Sequence, residues 1–213
     1  GTAAKAVGAS FVAAGTAIGK IGTEAVKAYS NYEQLVGGVE TLFGVGGKSL
    51  QQFADDCGFA ADEIKDVYEE MANAPNKVLK NAKKAYQTAG LSANQYMETV
   101  TGFSASLLQS LAGDTAKAAE YADQAVIDMS DNANKMGTSM EMIQYAYQGF
   151  AKQNYTMLDN LKLGYGGPKE EMERLLADAE KISGIKYDMS SFADITQAIH
   201  VIQTEMGITG TTA

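Results

Sequence analysis

The sequence predicts an all-α protein, a multi-helix bundle of short amphipathic helices preceded by a long helix of small residues. Three observations predict this fold. Proline, which breaks helices, occurs only as Pro75 and Pro168 among many Ala, Met, Lys, Glu and Gln residues. Apolar residues recur at steps of three and four, the period of a helix with one buried face. Finally, a Gly-x-Ser or Gly-x-Thr tripeptide separates several of these stretches.

These tripeptides are predicted to be corners at which one helix ends and the next begins. They are formed by Gly90 with Ser92, Gly137 with Ser139, and Gly207 with Thr209. Glycine adopts the left-handed conformation that ends a helix at little cost, and a Ser or Thr two positions later can cap the next helix. The second corner lies 47 positions after the first, and a Gly-Phe pair follows each, at residues 102–103 and 149–150.

Residues 3–29 are predicted to form the long helix of small residues. Gly8, Gly15 and Gly22 lie seven positions apart, and Gly15 with Gly19 forms a Gly-x-x-x-Gly pattern. Such a stripe lets another helix approach closely, so we expect self-association through it. The uncharged stretch between Lys5 and Lys20 is shorter than the roughly 18 residues that indicate a membrane-spanning segment. A packed helix is therefore favoured, with a membrane-active helix as the alternative.

The glycine-rich residues 44–47 are predicted to be a flexible break. We expect a Gly/Ala-rich helical arm at residues 1–45 and a compact helical module at residues 46–213. The module opens with a short helix at residues 50–56. Because the chain starts without Met and stops just after a Gly-x-Thr signal, we expect it to be a segment of a longer protein.

The next part of the module is predicted to contain two long helical stretches. A helix begins at Asp62, and Pro75 is expected to kink it or to mark a new start, with the helical stretch reaching about Ala89. Another helix begins after Ser92, and Asp114 caps the helix that follows. Each stretch carries one apolar stripe, so each must bury one face against another helix.

The remaining helices are predicted at residues 119–136, 140–150, 154–163, 168–184 and 192–206. Residues 164–167 form a glycine-rich loop, and Pro168 is well placed for a first helical turn. Ser190 or Ser191 caps the last helix. No convincing strand pattern occurs, although residues 184–189 leave room for a short extended piece.

The charge of the chain argues against binding to nucleic acid. The formal net charge is −9 and the sequence pI is about 4.6, whereas a nucleic-acid backbone is held by clustered Lys and Arg. Lys77, Lys80, Lys83 and Lys84 form a local basic patch, which we expect to be a solvated surface spread over more than one helix face.

No constellation of catalytic or metal-binding residues occurs in the sequence. Cys57 is the single cysteine, so no intrachain disulfide can form, and a reducing compartment at synthesis is the plain inference. His200 is the single histidine, and a metal site needs further ligands that the sequence does not supply. Residues 164–169 lack the spacing of a phosphate-binding loop. We therefore expect no cofactor, no metal and no enzymatic activity.

Five stretches of the chain resemble tail tape measure proteins from phages and prophages of Gram-positive bacteria. They are residues 29–43 (YSNYEQLVGGVETLF), 85–96 (AYQTAGLSANQY), 129–139 (MSDNANKMGTS), 156–167 (TMLDNLKLGYGG) and 170–180 (EEMERLLADAE). Together they extend the resemblance over most of residues 29–213. Residues before Tyr29 are similar only in style.

The resemblance implies a long helical protein that lies in the lumen of the phage tail and determines tail length during assembly in the host cytoplasm. Tail tube subunits polymerise around such a protein, assembly chaperones bind it beforehand, and it leaves ahead of the DNA at infection. It has no catalytic residues to transfer to this chain. Two alternatives remain: a segment that contacts or perforates a membrane during genome injection, and a helical scaffold of another secretion or toxin-delivery system.

Overall fold

Helices account for nearly all regular structure in residues 23–210, the part of the chain that the computed structural model describes, with side chains from Ser30 onward. The elements are α1 Thr23–Phe43, α2 Leu50–Cys57, α3 Ala61–Ala89, α4 Ala93–Ser110, α5 Thr115–Met136, α6 Met140–Ala151, a 3-10 turn at Leu158–Leu161, α7 Lys169–Ser183 and α8 Phe192–Glu205. No strand occurs in this range. The prediction of an all-α multi-helix bundle is confirmed.

The core of the bundle lies between α3, α4 and α5, with α6 and α8 closing two further sides. Each helix contributes one apolar face, as its three- and four-residue periodicity predicts. The largest fully buried side chains include Phe43, Tyr96, Met97, Leu107, Met129, Ile143, Tyr147, Phe150, Leu161 and Leu175. Helix α7 packs mainly on α8, so residues 169–205 form a helical pair at one side of the bundle.

Helix α3 runs without interruption through Pro75 for 29 residues. Of the two alternatives predicted for Pro75, the start of a new helix is therefore wrong. Proline removes one backbone donor and crowds the preceding turn, which costs about 3 kcal/mol in a helix interior. Ala74, Pro75 and Val78 are all buried in the core, so tertiary packing of this turn offsets the local cost.

Helix α1, the described part of the predicted arm, packs against α4, α3 and α5. Val39 and Phe43 are fully buried, and a Cβ on Gly38 would lie 3.8 Å from the Thr101 methyl group. The C-terminal half of α1 therefore shares the core of the bundle. Whether the arm and the module are separate units stays a prediction. Gly8, Gly15, Gly19 and Gly22 lie outside the described residues.

Two smaller elements differ from the sequence expectation. The helix expected at residues 154–163 is reduced to the 3-10 turn Leu158–Leu161, which ends at Lys162 with a positive φ of 52°. Residues 184–189 form no strand and connect α7 to α8 as an irregular loop. The last helix is capped by Ser191, whose hydroxyl accepts a hydrogen bond from the amide of Asp194.

Candidate functional site

The first two Gly-x-Ser tripeptides join consecutive helices. Gly90 and Gly137 follow α3 and α5 with left-handed backbones, at φ values of 64° and 74°. Ser92 and Ser139 precede α4 and α6, and each hydroxyl accepts a hydrogen bond from the amide three residues later, at 3.2 and 3.3 Å. Each tripeptide thus ends one helix and caps the next.

The third tripeptide ends α8. Gly207 has a φ of 69°, and its amide donates to the carbonyl oxygen of Thr204 at 3.1 Å. The hydroxyl of Thr209 lies 3.3 Å from the Thr204 hydroxyl, which donates to it. Whether a further helix begins after this tripeptide lies outside the described residues, which end at Gly210.

The 47-residue spacing places α4 and α6 side by side. Helix α5 connects them along the chain and runs in the opposite direction, so α4 and α6 run in the same direction. The amide of Gln144 donates to the Thr99 hydroxyl at 2.9 Å, and a Cβ on Gly102 would lie 3.6 Å from Nε2 of Gln148. Residues about 45 positions apart are therefore neighbours, which is why the two corners occur at one end of the bundle.

An open groove of about 420 Å³ lies between α4 and α6 near these corners. Its lining combines amides, carboxylates and an aromatic ring, from Gln95, Glu98, Phe103, Glu141, Gln144 and Gln148. These groups can form hydrogen bonds to a polypeptide. The lining contains no cysteine, serine or histidine.

A buried polar cluster ties α5 to three other parts of the chain. The amide of Asn132 donates to the Leu161 carbonyl oxygen and to Oε1 of Gln203, both at 2.9 Å. Gln203 in turn donates to the Asp128 carbonyl oxygen at 3.0 Å. Beyond α8, the amide of Gly210 donates to Oδ2 of Asp131 at 2.7 Å. Because buried polar groups are costly when unpaired, these bonds favour a single arrangement of α5, the 3-10 turn and α8.

The same cluster joins three of the stretches that resemble tape measure proteins. The Ser130 hydroxyl, in residues 129–139, donates to the carbonyl oxygen of Ala89, in residues 85–96. Asn132 contacts Leu161, in residues 156–167, and the Thr138 hydroxyl donates to the Asn160 carbonyl oxygen at 3.1 Å. Stretches far apart in sequence therefore meet along α5. We use the name α5 joint for the contacts of Asp128, Ser130, Asp131, Asn132 and Thr138 with other parts of the chain.

The glycine-rich loop at residues 164–167 is held by α7, which contains the resembling stretch at residues 170–180. The guanidinium of Arg174 donates to the Gly164 carbonyl oxygen at 2.8 Å and lies 4.3 Å from the centre of the Tyr165 ring. The carboxylate of Glu171 accepts from the amide of Gly166 at 3.1 Å and pairs with Arg174, which lowers the pKa of Glu171 to about 2. A Cβ on Gly167 would lie 2.4 Å from the carbonyl oxygen of Thr156. These contacts with Glu171 and Arg174 fix the loop against the first turns of α7.

His200 has a partner that the sequence did not reveal. Its Nδ1 lies 3.0 Å from both carboxylate oxygens of Asp128, which is 1% exposed. This hydrogen bond raises the pKa of His200 above its ordinary value. The two residues lie 72 positions apart, and no local pattern marks the contact. No serine or cysteine is hydrogen-bonded to His200 among the described residues, so the pair does not form a nucleophilic triad there.

Three of the four lysines of the predicted basic patch share one side of α3, and Lys83 lies outside the groove that they line. Lys77, Lys80 and Lys84 line a groove that faces Glu120 and Asp123 of α5. All of these lysines, together with Lys83, are exposed.

Within residues 23–210, no group of three His, Cys, Asp or Glu side chains is arranged to hold a metal ion. In the same range, no helix is both long and apolar enough to cross a membrane. Cys57 is exposed and has no disulfide partner in this part of the chain.

The described part of the chain is an all-α helical bundle in which buried polar groups of α5 are hydrogen-bonded to the 3-10 turn and to α8. Comparisons with protein families, with curated protein sequences and with solved structures gave no match.

Proposed function

We propose that the chain is a non-enzymatic structural segment of a tail tape measure protein from a phage or prophage of Gram-positive bacteria. In this role it acts in tail assembly, in tail-length determination and in genome delivery. Tail tube subunits and tail assembly chaperones are the proposed partners. The proposed locations are the host cytoplasm during assembly and the lumen of the virion tail afterwards.

The observation that carries the proposal is the composite sequence resemblance over residues 29–213 together with where its stretches lie. Residues 85–96, 129–139 and 156–167 meet at the α5 joint. Arg174, in residues 170–180, binds the loop at Gly164. Four resembling stretches thus hold one another in place, which supports reading them as parts of one structural unit.

The bundle indicates which part of a tape measure this segment would be. An α-helix rises 1.5 Å per residue, so the longest helix, α3, spans about 43 Å. Residues 23–210 as a single straight helix would span about 280 Å. Since the chain folds back at each corner, we propose a packed module within the tape measure rather than the extended part that sets length.

The proposal is tested in a phage or prophage that encodes the chain. We expect in-frame deletion of residues 46–213 to abolish tails or to give tails of abnormal length in electron micrographs. Duplication of the same residues should lengthen tails by far less than the roughly 250 Å that an added extended helix would contribute. Normal tails and normal infectivity after the deletion would refute the proposed function, as would peptidoglycan cleavage by the purified chain.

The membrane-active alternative rests on the glycine pattern at Gly8, Gly15, Gly19 and Gly22. Dye leakage from liposomes distinguishes this alternative from the structural role. The assay compares the full chain with a chain that starts at Tyr29. Leakage that requires the first 28 residues would favour the alternative. Equal or absent leakage would remove it.

A further inference from the structure

The exposed face of α3 divides into an acidic half and a basic half. Its first half carries the exposed acids Asp62, Glu63, Asp66, Glu69 and Glu70 with one base, Lys65. Its second half carries the exposed bases Lys77, Lys80, Lys83 and Lys84 with no acid. The uncharged, exposed residues Asn73 and Asn76 lie between the two halves.

The helix dipole does not account for this division. Its effect on charged side chains falls off within the first and last turns of a helix. Asp62 and Glu63 lie in the first turn, but the last turn of α3 contains no basic residue. Glu69 and Glu70 lie more than two turns from the start of the helix, and Lys84 lies more than one turn from its end at Ala89. Most of these charges therefore need another explanation.

Contacts within the chain leave most of these charges available. In the described part of the chain, no carboxylate lies within 4.0 Å of any of the four lysines. Lys77, Lys80 and Lys84 face Glu120 and Asp123 only across an open groove. In the acidic half, Glu69 makes one contact of 3.9 Å with Lys65.

We propose that α3 is a self-association surface that binds the α3 of a second copy of this chain in the antiparallel orientation. A two-fold axis between Asn76 and Lys77 brings Glu69 and Glu70 level with Lys83 and Lys84 of the second copy. The same operation brings Asn73 level with Lys80. A two-fold interface contains every contact twice, so the acidic half of each copy meets the basic half of the other copy.

A parallel arrangement of the two helices does not have this property. It would place each acidic half against an acidic half and each basic half against a basic half, which is repulsive. The uncharged centre of the face suits the antiparallel arrangement, because Asn73 and Asn76 near the axis meet no like charge there. The orientation therefore follows from the order of charges along α3.

The contacts are exposed ion pairs, which are individually weak and are screened by salt. The association is accordingly reversible, and it weakens as the ionic strength rises. This surface is separate from the glycine stripe at residues 8–22, and it does not depend on the function proposed above.

Charge reversal tests the interface on the full chain. Two variants, Glu69→Lys with Glu70→Lys and Lys83→Glu with Lys84→Glu, each give α3 a face dominated by one charge sign. We expect each variant alone to be monomeric by sedimentation equilibrium, an equal mixture of the two to dimerise, and the fourfold variant to recover the wild-type association. Circular dichroism of each variant checks that the fold is retained.

The salt dependence and the orientation are measured on the same protein. We expect at least a tenfold weaker association at about 500 mM than at about 20 mM NaCl. In a Cys57→Ser background, Asn76→Cys near the axis should form a symmetric disulfide dimer on mild oxidation, because facing α-carbons of packed helices lie in disulfide range. Asn73→Cys, which leaves every proposed ion pair in place and lies about 10 Å along the helix from its copy, is the matched control and should not.

Three results would overturn the inference. The first is a wild-type chain that stays monomeric at about 20 mM NaCl and about 1 mM protein, where exposed charges are least screened. The second is a dimer that both charge-reversed variants retain. The third is symmetric cross-linking through Asn73→Cys as well as through Asn76→Cys, which would indicate parallel helices.

Discussion

Alanine substitutions at the two glycines of the Gly-Phe pairs should change stability in opposite directions. Gly102 and Gly149 occupy equivalent positions of the 47-residue repeat, each inside a helix. A Cβ on Gly102 would meet only the flexible side-chain amide of Gln148, at 3.6 Å. A Cβ on Gly149 would lie 2.9 Å from the backbone carbonyl oxygen of Asn154, in the turn after α6. This distance is too short for a van der Waals contact, so the backbone of the turn would have to move.

The expected magnitudes follow from these contacts. Replacing a glycine inside a helix by alanine gains about 0.5–1 kcal/mol in backbone entropy and helix propensity. Gly102→Ala should keep this gain. Gly149→Ala has the same gain, but it must displace backbone at a cost of about 1–3 kcal/mol for an overpacked site. We therefore expect a net loss of about 1–2 kcal/mol for Gly149→Ala.

Urea denaturation followed by circular dichroism measures both free energies of unfolding. In thermal unfolding, a chain of this size shifts its Tm by about 2–4 °C per kcal/mol, so the two variants should differ by several degrees. If both substitutions stabilise equally, the close contact of Gly149 with Asn154 is wrong. If both substitutions destabilise the protein, the conclusion that a Cβ fits at Gly102 is wrong.

Four further predictions concern single side chains. The Tyr147 hydroxyl is buried without a hydrogen-bond partner among the described residues, so Tyr147→Phe should raise the free energy of unfolding by up to about 1 kcal/mol. Tyr96→Phe, which loses a hydrogen bond to a carboxylate, should lower it by about 1–2 kcal/mol in the same urea assay; equal effects would contradict both assignments. Ser139→Ala, which removes the cap of α6, should cost about 1 kcal/mol, and a neutral result would remove its capping role. Because the folded-state pKa of His200 is raised by Asp128, the native state binds the proton more tightly than the unfolded state does. The stabilisation is complete below the ordinary histidine pKa of about 6.5 and is lost as the pH rises through the higher folded-state value, so urea titrations at several pH values should show a decline that is reduced in His200→Gln.

Local chemistry explains which elements could be predicted from the sequence. A left-handed glycine followed two positions later by a capping serine acts within one turn, so the connections at Gly90 and Gly137 are readable without the fold. Pro75 shows the limit of that reasoning. Its local effect is to end a helix, but packing against α1 and the rest of the core keeps α3 continuous. The 3-10 turn at Leu158–Leu161 shows the same limit. Both leucines are buried, and the apolar periodicity of this segment does not distinguish a 3-10 turn from a short α-helix.

The contacts of the α5 joint could not be predicted from the sequence. Asn132 and Gln203 lie 71 positions apart, and His200 and Asp128 lie 72 positions apart. In the sequence, Asp128, Asp131 and Asn132 are ordinary polar residues of an amphipathic helix. Their burial becomes evident only when α8 and the 3-10 turn pack on α5 and supply hydrogen-bond partners.

The sequence by itself determined the all-α class and the corners at Gly90–Ser92 and Gly137–Ser139. Each of these depends on interactions within a few residues, or on composition alone. The tertiary structure alone decided that α4 and α6 are neighbours, that α3 continues through Pro75, and that three resembling stretches meet around α5. These depend on pairs of groups far apart in the chain, whose hydrogen bonds and buried contacts exist only after the helices have packed.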